Sequence, residues 1–517
     1  MAAVNKINSN DVSIAYAEEE SIKTLPGTPV WYGLQPNTIS DFGGNITKVG
    51  RDFITDDRQM RKGETTDLEA AGSMNHDLVQ TGLQRLMQGF MYADFRYKPE
   101  TGGMGDVGVI TSIGASDDYT RTSGSFTTDG YEVGDMIFAS GFTNAANNGL
   151  KTILTVAALT LTVNETLVAE AAPPAEAQLV VCGFEFATGD LDVDVTGDLP
   201  KLTATAKDCT ELGIIPGETI YVGGDLTANK FAGAANNGLA RVRSVAAGYI
   251  ELDKSETTMV IEDNTTLDIR VFTGRVLKNE TGSNIVRRTY NIERTLGAPD
   301  DAAPAEIQSE YVTGAVPSEV TINVPRADKA TVDMAFLALD SEQRDGSTGV
   351  KTGTRVDAVE EEFFNTSSNV PRIKIAAVSS TDEAPTALYA FAEELTLTIN
   401  NNVSADKAIG VLGGFDATHG NFMVSGSMTV FFADVAGVAA VRNNTDITME
   451  IHMIKNNTGM SIDVPLMSLG DGRVNVEKNQ SVKLPLTQEA ATGANIDSTL
   501  NHTLMIVFFD YLPDAAE

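Results

Sequence analysis

Three features of this 517-residue sequence predict a mainly β chain. Val, Ile, Leu, Thr and Phe alternate with polar residues over short runs, which is the period of a strand with one buried face. Glycine and Asn-Gly punctuate those runs where tight turns belong. The middle of the chain repeats itself, as small stacked or tandem units do. Composition agrees with a folded chain, since 42% of residues are hydrophobic and 21% charged. The length allows about three or four domains.

The opening run MAAVNKINSNDVSIAYAEEES has one lysine and no apolar stretch before Glu18, so no signal peptide is read there. Nothing approaches the ~20 apolar residues of a membrane span, and assembly in the cytoplasm is expected. Residues 1–105, resuming at 276–340, form a first, discontinuous domain in this reading. Its helix is expected over Asn75–Met91, where Leu78, Val79, Leu83, Leu86, Met87 and Phe90 recur at near-helical spacing behind Asn75 as N-cap. The loop Arg51–Thr66 is long for a hairpin connection.

The internal repeat defines the middle. Gly141–Val163 recurs as Lys230–Leu252, with AANNGL at Ala145–Leu150 and again at Ala234–Leu239. Asn148-Gly149 and Asn237-Gly238 suggest type I′ turns, each closing a hairpin. Two tandem small β modules are therefore inserted, over 106–184 and 185–275. A shorter likeness links the flanks. Thr38–Gly44, then Ala70–Met74 and a helix, parallels Leu397–Asn401, then Val424–Met428 and a weaker helix candidate at Ala433–Val441. Residues 341–375, rich in Ser, Thr, Gly and charge, read as a linker or long loop, and 376–517 as a second domain.

Catalytic arrangements are not found. Gly103-Met-Gly105-Asp-Val-Gly108 matches a phosphate-loop pattern but precedes a strand-like run and opens no helix, so a linker is expected. Asp41-Phe42-Gly43 lacks every other kinase element and reads as a turn. No serine stands in a GxSxG elbow. His76, His419, His452 and His502 are scattered and expected at the surface. Cys182 and Cys209 are expected as buried thiols, too few for a disulfide framework. Asp190, Asp192 and Asp194 in DLDVDVTGD are a weak calcium candidate, but Leu191, Val193 and Val195 alternate with them as an exposed strand would. No enzyme, metal or cofactor is expected.

Thirty-seven basic residues stand against 71 acidic ones, a formal net charge of −34. That argues against a binder that gains affinity by neutralising phosphates. The basic cluster Arg58-Gln-Met-Arg61-Lys62 sits among carboxylates and suits a solvated face or a protein contact.

Tyr16-Ala-Glu-Glu19, Leu25–Tyr32, Asn37–Gly44, Arg58–Gly63 and Leu68–Leu78, with Glu394–Asn401, Gly420–Phe432 and Thr445–Pro465, together resemble the major tail protein, or tail tube protein, of long-tailed bacteriophages. The resemblance implies tail-tube β-sandwich or β-barrel domains with one packed helix each, the tandem modules being insertions that decorate them. It implies a structural virion protein whose rings stack into the DNA conduit of a tail. Its partners would be copies of itself, other tail proteins at the tube ends, and passing DNA held without tight binding. Rings would be trimeric if each chain carries two tube-like halves, otherwise hexameric. The loop bearing Arg51, Asp56, Asp57, Arg58, Arg61 and Lys62 is the candidate contact to a neighbouring subunit, where complementary charge fixes register. The competing expectation is a β-rich surface or adhesion protein whose modules bind host-surface ligands.

Overall fold

Alternation becomes strand through most of the computed structural model, which describes residues 6–56, 58–96, 98–102, 109–114, 116–299, 306–389 and 391–516. Two short α-helices, Gln84–Met91 and Ala436–Arg442, accompany the strands among these residues. The chain is mainly β and divides into two compact units: 1–93, 279–367 and 393–429 form one, and 94–278, 368–392 and 430–517 the other. Each unit holds one helix.

The first unit is built from two sheets that share one long strand. Gln308–Val324 pairs through its first half with Tyr290–Gly297 and Asp340–Arg344, and through its second half with Thr331–Ala338 and Ala392–Asn400. The change of sheet falls near Gly314, whose φ of +58° suits a residue without Cβ. There the buried carboxylate of Glu19 accepts from the Gly314 N–H at 2.9 Å and from Thr289 Oγ1 at 2.7 Å. The second sheet continues outward: Thr331–Ala338 pairs with Glu64–Asp77, which pairs with Thr38–Val49. On the other side Ala392–Asn400 meets Met423–Phe431, with Thr396 and Ser427 side chains 3.0 Å apart. Met74, Val332, Met334, Phe336, Val320, Ile322, Leu397 and Ile399 all point to one side of this sheet and are buried. Phe90 of the helix packs on Phe336 with ring centroids 5.1 Å apart.

The second unit contains the tandem modules. Six strands from Ser112–Ile113 to Gln178–Glu185 and six from Leu191–Asp194 to Arg270–Phe272 lie in one sheet whose order reads the same from either edge. Its two halves meet where Gly183, Phe184 and Glu185 pair with Phe272, Val271 and Arg270. A further set of strands, Arg372–Ala377, Ile447–Lys455, Thr458–Asp471 and Lys483–Ala491, pairs in that order. Gly459–Asp463 also pairs with Met505–Phe509, which pairs with Arg275–Lys278.

Several local expectations are corrected. Asn75 is no N-cap, because Asn75–Asp77 pairs in register with Thr331–Asp333 and the helix begins only at Gln84. The N–H groups of Thr81 and Gly82 ahead of it are capped from 280 residues away in sequence, by the Glu361 carboxylate. Asn148 and Asn237 have φ of −96° and −113°, so neither Asn-Gly forms a type I′ turn. Instead the Asn148 side chain closes the loop, accepting from Phe142 N–H and donating to the Phe142 carbonyl, and Asn237 does the same with Phe231. Asp41-Phe42-Gly43 is a bulge inside a strand, not a turn. Part of the stretch read as a linker is paired: Thr354–Val356 runs parallel to Val30–Tyr32. His76, His452 and His502 are buried, because strand alternation and packing place them inward. The Gly103–Gly108 motif lies outside the described residues.

Candidate functional site

The sheet of the first unit has two unlike faces. Opposite its apolar side stand Thr38, Ser40, Ser73, Asn75, Asp333, Thr321, Asn323, Thr396, Thr398 and Asn400, placed there by the alternation of each strand. They bond across the strands. Asn75 and Asn323 each donate to Asp333 at 2.7 Å, Asn400 donates to Glu319 at 2.6 Å, and Thr321 and Thr398 hydroxyls lie 2.9 Å apart. Thr429 donates to Glu394 at 2.9 Å. The carboxylates here are Asp77, Asp333, Glu319 and Glu394; among the described residues no lysine or arginine takes an outward position within 38–40, 71–77, 319–323, 331–337 or 394–400, whereas toward the hairpin Lys48 stands opposite Thr65 on this same face. Lys329 reaches Asp77 at 2.6 Å from the sheet's end and, with Asn37, holds that carboxyl below its usual range against the burial that raises it.

A hairpin prolongs one end of the same sheet. Thr38–Val49 and Glu64–Asp77 run past their neighbours and are joined by 50–63, which curls round an open hollow. Arg51, Asp56, Arg58, Arg61 and Lys62 are all exposed there; Asp57 lies outside the described residues. Phe53 has the Arg51 guanidinium 4.7 Å and the Arg61 guanidinium 5.8 Å from its ring centroid. Ile54 and Met60 are almost wholly exposed. Lys407 braces the hairpin base through Asp67 at 2.6 Å and Glu69 at 3.5 Å.

The calcium candidates do not converge. Asp190 accepts from the N–H groups of Thr205, Ala206 and Lys207, which pull its pKa below the usual range although burial opposes them. Asp192 accepts from Asn264 N–H and Asp194 from Thr196 N–H. Each clamps a loop, and no group of three or more metal-ligating side chains gathers among the described residues.

Sequence reading missed another cluster, buried in the second unit. Arg241 forks onto Asp253 at 2.7 and 2.6 Å, Lys254 reaches Asp463 at 2.5 Å, and His502 lies 3.4 Å from Asp463. Arg372 pairs with Glu450 beside it. Despite burial, Lys254, Arg241 and His502 hold Asp463 far below the carboxylate range. The hint was basic and acidic residues at inward strand positions, where they are tolerated only when paired.

A polar sheet face, a protruding loop with fully exposed apolar side chains, and charged groups committed to internal pairing define a structural β protein whose chemistry lies in its surfaces. The family of phage tail tube proteins, matched from residue 9 to 490, includes this chain, which belongs to that family. No curated protein matches it. The family places the protein in the virion tail as a structural component. No helix among the described residues is long and apolar enough to cross a membrane.

Proposed function

We propose that the chain closes into rings that stack as a hollow tube, through which DNA passes during ejection. The observation that carries this reading is the two-faced sheet. Its apolar side is packed, while the central part of its other side offers hydrogen-bonded Ser, Thr and Asn with carboxylates, the cations of that face standing toward its ends, at Lys329 and near the hairpin at Lys48 and Lys407. A wall of that kind repels phosphates and gives DNA nothing to neutralise, so a duplex is held off and slides.

The chain carries two elements of similar order, each a strand, a long connection, a strand with Gly-Ser-Met and a helix: Thr38–Val49 to Met91, and Ala392–Asn400 to Arg442. Two such elements per chain favour a trimeric ring with six similar segments round the lumen. The loop 50–63 is the contact to the next ring, the tandem modules are outward decoration, and assembly takes place in the host cytoplasm. Electron microscopy of the purified protein, with the mass of the ring measured in solution, tests this. Stacked rings of three chains are expected, and a dispersed monomer at high concentration sinks the proposal.

A further inference from the structure

The loop 50–63 is unusual for so acidic a chain: it holds four basic and three acidic residues, with Ile54 and Met60 thrust into solvent. Its complement lies at the other end of the same strands. Asp357–Phe363 reads DAVEEEF, four carboxylates with no cation, and within it Val359 and Phe363 are exposed. The position is fixed by hydrogen bonds. Glu361 accepts from Thr81 and Gly82 N–H groups, and Phe364 N–H donates to the Leu78 carbonyl, just beyond the end of Glu64–Asp77. The loop leaves from the opposite end of that strand, about 40 Å away at the ordinary rise per residue.

Beside the acidic segment is a small recess open to solvent, of about 90 Å³, lined in part by Leu34, His76, Val79, Leu83 and Val359. His76 is 3% exposed, and its Nε2 has no hydrogen-bond partner. That nitrogen calls for a hydrogen-bond partner that the neighbouring side chains do not supply. The chain therefore carries a basic, apolar projection at one end of a sheet and an acidic, recessed seat at the other. Such a head-to-tail match between unlike surfaces of identical subunits extends without limit when no rotation closes it.

We propose that Asp357–Phe363 and the recess beside it are the seat for loop 50–63 of a second copy of this chain in the adjoining ring. This rests on the stacked-ring reading. Ile54 or Met60 fills the recess, and Arg58, Arg61 and Lys62 face Glu360 and Glu362.

Charge exchange tests it in the full chain. Glu360→Lys with Glu362→Lys, and separately Arg58→Glu with Lys62→Glu, are expected to leave rings intact but to shorten tubes at least tenfold in electron micrographs. All four changes together are expected to restore length to within about threefold of the parent. Parent-length tubes in either pair, or short tubes in the fourfold variant, overturn the seat while leaving the ring reading standing. A parent chain that forms neither rings nor tubes overturns both. Should a charge variant fold poorly by circular dichroism, Ile54→Cys with Val359→Cys replaces it. Oxidised tubes of that variant should run as a ladder of linked chains under denaturing conditions, and unlinked monomer alone overturns the seat.

Discussion

The two tandem modules share a loop and differ in what covers them. In the first, the buried Asn147 donates to Glu170 and to the Val168 carbonyl and accepts from Val168 N–H. In the second, Asn236 donates to Glu262 and accepts from Val260 N–H. Glu170 and Glu262 each also accept from two backbone N–H groups of the loop they face. The strands that follow diverge. Leu154 is 48% exposed, whereas Arg243 at the matching place is 7% exposed. Asn164 is exposed where the second module has buried Asp253, bound to Arg241. The loop is solved inside each module and has stayed. The strand faces answer to their surroundings, and only the second module's face meets Asp463 and Lys254 in a buried network.

The sharpest break of this comparison is a matched pair of substitutions. Asp253→Ala leaves Arg241 with one buried counter-charge fewer and should cost about 3–5 kcal/mol in denaturant unfolding. Asn164→Ala, its counterpart, should stay within about 0.5 kcal/mol, as surface changes do. Equal costs would mean the network is not what separates the modules.

Acid should then act on one module's surroundings and spare the other. His452 is buried neutral against Arg372, Lys254 and Lys374, with Asp463 opposing; burial first, and then the Arg372 charge, lower its pKa to about 3. His502 is lowered too, chiefly by burial, against the pull of Asp463. A depressed folded-state pKa means that the unfolded chain takes up the proton first, so stability present above about pH 6.5 is lost as pH falls toward 3. By pH 4.5 the loss from His452 is of order 3 kcal/mol. Hydrogen exchange should show amides of Ile447–Lys455 and Gly238–Ala246 losing protection before those of Gly149–Ala157, because the first stretch carries His452 and the second carries Arg241, which shares Asp463 with His502.

Where the modules agree, substitutions should agree. Asn147→Ala and Asn236→Ala each remove a buried amide and the acceptor of a part-buried backbone N–H, of Val168 and Val260, and should cost about 1–3 kcal/mol apiece, equal within error by thermal unfolding. The smallest effect is expected at Leu154→Thr, within about 0.5 kcal/mol by the same measurement.

The same divide explains how much was legible in the sequence. AANNGL was visible because the loop is a local solution, although its closure by asparagine side chains looks like an Asn-Gly turn until the φ angles are known. Mainly-β character was visible because alternation is local. The helix start was not, since Leu78 and Val79 fit a helical spacing while their neighbours Asn75–Asp77 are held in a sheet by Thr331–Asp333. The long loop carrying Arg51 to Lys62 could be picked out by its length. The acidic stretch Asp357–Phe363 lay inside a presumed linker, and its opposition to that loop appears only once Glu64–Asp77 is known to run between them. The buried ion network joins Arg241 to Asp463 across more than 200 residues, beyond any local pattern.

Both margins of the module sheet end in a tie to another segment. Ile113 forms a two-way backbone bridge with Glu170, and Val193 forms the same bridge with Glu262. The outermost strands are short, and their spare donors and acceptors are partly consumed inside the module that owns them. In a virion many copies of this sheet would be crowded along one filament, where a bare margin would zip neighbouring particles together during assembly at high concentration. Two glutamates that hold a loop with their side chains thus also use their main chains to cover the margins of the sheet.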